Sequence, residues 1–126
     1  MLERLLSPRL LRPLFWALAL FALTMALLPK PPGTPIDSLG DKFAHMFAFA
    51  VLTGVAAFAW REARWSRIVV ALSLFGAGIE VLQAIPALHR DSDWRDWVAD
   101  TIATLLVIGL ARWLARRLVS TGPALD

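Results

Sequence analysis

Residues 79–101 read IEVLQAIPALHRDSDWRDWVADT. The stretch begins inside one long apolar run and ends inside the next. Between the two it carries Glu80, Gln83, Arg90, Asp91, Asp93, Arg95, Asp96 and Asp100. Pro86 stops the first run, because proline cannot donate the backbone bond that a continuing helix needs. Acids then crowd the start of the second run, where a helix presents its positive end. The stretch reads as a tight connection between two apolar helices, with charge concentrated at their mouths.

The rest of the chain sets the medium those helices occupy. Of 126 residues, 58% are apolar, and the mean hydropathy is +0.61. Soluble domains run at roughly 45–50% apolar, and a chain this short has too little interior to hide the excess. The sequence therefore predicts an integral membrane protein. The net charge of +3 does not point to nucleic acid, because the cations flank apolar runs instead of forming one patch. With no cysteine, disulfides and thiolate metal sites are excluded.

Four apolar stretches follow one another, at about residues 10–28, 43–60, 68–85 and 97–114. Each approaches the roughly 20 residues that cross a hydrocarbon core about 30 Å thick. In lipid the backbone must satisfy its own hydrogen bonds, so such spans are helices. The first has the basic flank of a signal peptide (Arg4, Arg9, Arg12), but Met25-Ala26-Leu27-Leu28-Pro29 offers no small-x-small cleavage site, and an anchored helix is expected. The predicted fold is all-α: one domain over residues 1–126, a four-transmembrane-helix bundle with a loose tail from Ser120.

Orientation comes from the cations. Nine of the thirteen Lys and Arg residues lie at the N-terminus, the middle loop and the C-terminal end, and Lys30, Lys42, Arg90 and Arg95 lie on the other side. The positive-inside rule then places both termini in the cytoplasm. Trp60, Trp65 and Trp113 mark one interface, and Trp94 and Trp97 the other. The acids have the opposite bias: Asp37, Asp41, Glu80, Asp91, Asp93, Asp96 and Asp100 all fall toward the outer side. The rule counts cations alone, so this acid cluster is separate information.

Spacing groups the cluster. Asp41 and His45 are four apart, Glu80 and Gln83 three apart, and Asp93, Asp96 and Asp100 three and four apart, so each set shares a helical face. Gly76, upstream on the Glu80 stripe, permits close approach of a neighbour. Asp41, Asp93 and Asp96 are expected to open helices, with Asp93 as an N-cap. Glu80, Asp100 and His45 lie deeper. A charge at mid-bilayer costs roughly 2.5–3.5 kcal/mol, so these three should face the interior and pair with one another or with Lys42 and Arg90. The expected geometry is an outward-opening polar pocket with Arg90 at its centre.

The ordered pattern Asp41-Lys42-x-x-His45, Glu80-x-x-Gln83, then Arg90, Asp96 and Asp100 resembles the VanZ-like family of small bacterial membrane proteins. The resemblance covers about residues 37–108. The family's second half reads Glu-x-x-Gln, an arginine, an Asp six residues on, an Asn four after that and a Gly three further. Here Asp100 stands in place of the Asn and Ala103 in place of the Gly, and Phe49 stands where a Tyr often follows the His. The resemblance implies a bacterial inner-membrane, cell-envelope setting. The namesake is linked to teicoplanin resistance, and most members lack an assigned activity, so a reaction is not implied.

Three function classes fit these residues. In a binding module, Arg90 and Lys42 would hold an anionic group, and Gln83, Asp96 and Asp100 would read hydroxyls or amides on an envelope lipid or a lipid-linked glycan precursor. In a membrane-surface hydrolase or transferase, His45 or Glu80 would be the general base and Arg90 the charge stabiliser; Ser38 and Ser92 sit in loops without a nucleophile motif. In an assembly partner, possible homo-oligomers included, the small residues Ala50, Gly54, Ala57, Ala99 and Ala103 would permit close packing. The bland alternative is a polar clasp between helices, and His89 reads as a solvated loop residue. Binding is favoured over catalysis. No metal or other cofactor is expected, because His45, Glu80, Asp96 and Asp100 match no metal motif such as H-E-x-x-H.

Overall fold

The computed structural model describes residues 1–29 and 35–120, without the side chains of residues 2–3, 35–39 and 118–120. Lys30, the Asp37 and Ser38 side chains and the tail beyond Ser120, all given roles above, lie outside what is described. Every regular element among the described residues is helical. After a single turn at Leu2–Leu5 come α1 (Pro8–Leu27), α2 (Pro35–Ala59), α3 (Trp65–Gln83) and α4 (Trp94–Ser120), with a short 3-10 turn at Pro86–Leu88 before α4. All four long helices are long and apolar enough to cross a membrane.

The helix ends differ from the sequence expectation in instructive ways. α2 begins at Pro35, eight residues before the predicted 43. Proline is well suited to the first helical position, and a helix can extend beyond its apolar run once it is outside lipid. Asp41 therefore lies in the second turn of α2 and does not open the helix. α3 stops at Gln83, two residues short of the expected 85. Ile85 is extended, with φ −71° and ψ 118°, as the residue before a proline prefers. His89 takes the left-handed conformation, φ 50°, closing the 3-10 turn. Its exposed position in the loop matches the solvated reading.

α2 is the central helix, packing on both α4 and α1, and α3 packs on α4. Phe49, Leu52, Ala56, Leu72, Ile79 and Ile108 form the core. The apolar surface is larger than the core. Phe47 is 72% exposed, Val81 70% and Leu106 67%, and similar side chains stud every long helix. A water-soluble protein does not tolerate contiguous apolar surface on this scale. The exposed faces are those expected to meet lipid.

One contact sets the crossing of α2, α3 and α4. A Cβ on Gly76 would meet the Phe49 ring at 3.3 Å and the Trp97 ring at 3.4 Å. Trp97 donates its indole N–H to the Ser73 carbonyl at 3.0 Å. It therefore ties α4 to α3, and Trp94 is 68% exposed. Gly54, read as a packing position, has nothing within 4 Å of a Cβ.

Candidate functional site

α2 and α4 run in the same direction, and their polar faces meet as a ladder at the acid-rich end. Lys42 Nζ lies 3.4 Å from Asp96 Oδ1. One turn further along both helices, His45 Nδ1 lies 3.7 Å from Asp100 Oδ2. Both distances exceed a good N–H···O bond, so the rungs act mainly through charge, and the second is an ion pair only when the imidazole is protonated. Deeper still, Thr53 and Thr104 are fully buried. Each hydroxyl donates to its own helix, Thr53 to the Phe49 carbonyl at 2.6 Å and Thr104 to the Asp100 carbonyl at 2.9 Å. That local bond lets a polar residue enter an apolar interface without a partner across it.

His45 and Asp41 share a face of α2 but meet different partners. Asp41 turns to Arg90, whose guanidinium Nη2 lies 3.6 Å from Asp41 Oδ2 while the arginine side chain is only 3% exposed. Arg90 Nη1 also reaches the Leu28 carbonyl at 3.4 Å. Gln83 donates its amide to the Ala26 carbonyl at 2.9 Å. Both carbonyls belong to the end of α1, where a helix leaves its last acceptors without intrahelical donors and carries partial negative charge. Gln83 and Arg90 therefore dock the end of α1.

Glu80 does not meet Arg90, contrary to the expected arrangement. Its Oε2 accepts from the Asp93 backbone N–H at 2.9 Å and from the Ser92 hydroxyl at 3.1 Å. Ser92 can alternatively donate to the Glu80 carbonyl at 2.8 Å. Asp93 in turn accepts from the Arg95 N–H at 2.9 Å, the N-cap geometry for a helix beginning at Trp94. Glu80 thus holds the entry of α4. Ser92, dismissed as a loop serine, is its partner; the available signal was its place just before a capping aspartate.

The nine candidate residues split accordingly. Glu80, Gln83 and Asp93 bind helix ends. Lys42 with Asp96 and Arg90 with Asp41 form two ion pairs, and His45 faces Asp100. Two buried oxygens, Glu80 Oε1 and Asp100 Oδ1, have no hydrogen-bond partner among the described residues. An unsatisfied buried acceptor costs about 1–3 kcal/mol, more than the polar bonds of a clasp return at about 0.6 kcal/mol each in one measured membrane protein. Among the described residues no group of three or more His, Cys, Asp or Glu side chains is placed to hold a metal ion.

The cavity beside this cluster is not the outward-opening cup expected from the charges. It is a groove of about 480 Å³ between α1 and α2. Leu18, Phe21 and Met25 form one wall, Phe47, Ala48 and Val51 the other, and Ile79 the floor. Of the nine candidates only Asp41 and His45 line it, both at its acid-rich end. Phe21 and Phe47 are largely exposed on the bundle's flank, so the groove opens sideways, toward the medium that surrounds the helices.

No family model, curated protein or solved structure matches the chain. Its class therefore rests on fold and site: an all-helical protein with four helices long and apolar enough to cross a membrane, carrying three facing pairs of ionisable side chains at one end and an apolar groove that begins beside them.

Proposed function

We propose that this chain is a VanZ-like protein of the bacterial inner membrane, with both termini in the cytoplasm, that binds an envelope lipid or a lipid-linked glycan precursor. The polar head would sit at Asp41 and His45 and the hydrocarbon chain would lie along the groove. The observation that carries this reading is the sideways-opening apolar groove headed by those two polar side chains. Ligand pockets combine apolar walls with a few placed polar groups in this way. The ordered residues Asp41/His45, Glu80/Gln83 and Arg90/Asp96 support the family and its envelope setting.

The test is lipid binding by the purified protein in nanodiscs, with lipid-linked precursors compared against ordinary phospholipids. Ala48→Trp fills the groove from its wall, and Arg90→Ala removes the partner that positions Asp41. Each is expected to lower precursor binding by about tenfold or more, the effect of losing roughly 1.4 kcal/mol. Unchanged binding in both variants would reject the reading.

A second reading is favoured by one further observation. His45 lines the groove while Asp100 lies behind its Nδ1 at 3.7 Å. A carboxylate behind an imidazole supports a positive charge on it. The proposed chemistry is hydrolysis or transfer at the lipid head, with His45 as general base. Mass spectrometry of envelope lipids incubated with wild type and His45→Gln decides it: identical product profiles leave binding alone.

A further inference from the structure

The opposite end of the bundle contains a second cavity, of about 910 Å³, between the α2–α3 connection and the end of α4. Its rim carries Arg61, Arg64 and Arg112 together with the single acid Glu62. Its inner wall is apolar, built by Phe58, Ile68 and Ile108, so polarity changes from charged to oily along the helix axis. Trp65 closes one side, and the Arg112 guanidinium lies 5.6 Å from the centre of its ring.

Charge pairing distinguishes this end from the other. At the acid-rich end Lys42, His45 and Arg90 each face a carboxylate. At the basic end, none of the three rim arginines is within ion-pair distance of an acid among the described residues. Arg61 is partly committed to backbone, donating to the Phe58 carbonyl at 3.2 Å and the Leu6 carbonyl at 3.0 Å. Arg64 and Arg112 keep their N–H donors for another acceptor. Guanidinium groups pair with phosphate in a bidentate manner and tolerate partial burial. A cavity with this rim, an oily wall and an interfacial tryptophan matches the phosphate and first methylenes of a lipid.

We propose that this cavity binds an anionic phospholipid, its phosphodiester held by Arg64 and Arg112 and its chains lying against Phe58, Ile68 and Ile108. The site is separate from the groove between α1 and α2 and does not depend on what that groove binds.

Native mass spectrometry of the full chain in mild detergent tests it, with phosphatidylglycerol and phosphatidylcholine of matched chains as probes. Wild type should retain phosphatidylglycerol over phosphatidylcholine by roughly tenfold to thirtyfold, the gain expected from two interfacial arginines. Arg64→Gln/Arg112→Gln should lose that preference, and Arg64→Lys/Arg112→Lys should keep most of it. Ala115→Trp, which fills the cavity from an exposed position on α4, should lose it without touching an arginine. Millimolar inorganic phosphate should leave the lipid bound. The groove variant Ala48→Trp should leave the preference unchanged, which separates this site from the proposed function. Equal retention of the two lipids by wild type, a preference that survives both the glutamine pair and Ala115→Trp, or displacement of the lipid by phosphate would each overturn the proposal.

Discussion

His45 illustrates how much a single half-buried side chain can be asked to do. It lines the α1–α2 groove and faces Asp100, which is 2% exposed. Removing one member of a buried pair leaves the other without compensation, so the two should be energetically coupled. A double-mutant cycle on His45→Ala and Asp100→Ala is expected to give an interaction energy of about 0.5–3 kcal/mol. Unfolding in a detergent titration, read by the intrinsic tryptophans, measures it. Strict additivity would show that the rung is incidental. Asp100→Asn preserves shape and one acceptor, and should cost clearly less than Asp100→Ala. The presence of these residues in the cluster was visible in sequence. That His45 could pair with another deep acid was visible too; which acid it meets was not, because spacing within one helix does not say whether Glu80 or Asp100 lies opposite.

At the scale of the element, helix ends decide the roles of Glu80, Gln83 and Asp93. Each satisfies backbone groups that a helix leaves open at its terminus. Glu80 has a neighbour in the connection, and its loss should be felt there first. Glu80→Ala and Asp93→Ala are each expected to cost about 1–2 kcal/mol, the usual range for a lost cap or charge-assisted bond. Both should speed amide exchange across residues 91–97 while leaving the basic ends of α2 and α3 unchanged; uniform acceleration along the chain would mean that Glu80 supports the whole bundle instead. Helix crossing makes a second demand. Gly76 sits against two aromatic rings and Gly54 against open space. Gly76→Val should therefore destabilise by about 1–3 kcal/mol through overpacking, and Gly54→Val by much less. Comparable unfolding midpoints for the two variants would contradict the packing. The importance of Gly76 could be read from its place above Glu80; the openness around Gly54 could not, because a small residue in an apolar run looks the same whether it faces a helix or lipid.

At the scale of the molecule, the two ends of the bundle are electrically different. At one end Lys42, His45 and Arg90 face carboxylates, and the other presents arginines to its surroundings. The proposed orientation places the arginine-rich end in the cytoplasm, since cation excess sets topology. A reporter that fluoresces only in the cytoplasm should light up when fused to either terminus, and a reporter active only outside should respond when inserted beside His89. A signal on the same side from all three positions would reject a four-span arrangement. The tie between α1 and the other helices belongs to this scale too. At the end of α1 it includes Gln83 and Arg90 reaching two carbonyls, contacts between residues 57 and 62 positions apart in the chain.

The amino-acid sequence by itself determined that there are four helices and roughly where they lie, because an apolar medium offers the backbone no partner except itself. It also determined which polar residues share a face and which end of the bundle they occupy, since helical repeat and alternating direction follow from the chain alone. Only the tertiary structure decided that Arg90 meets Asp41, that Glu80 holds the entry of α4, and that the groove lies between α1 and α2. Those outcomes depend on how the helices are ordered and rotated about one another. Side-chain packing sets that arrangement across the bundle, and no spacing within a single helix encodes it.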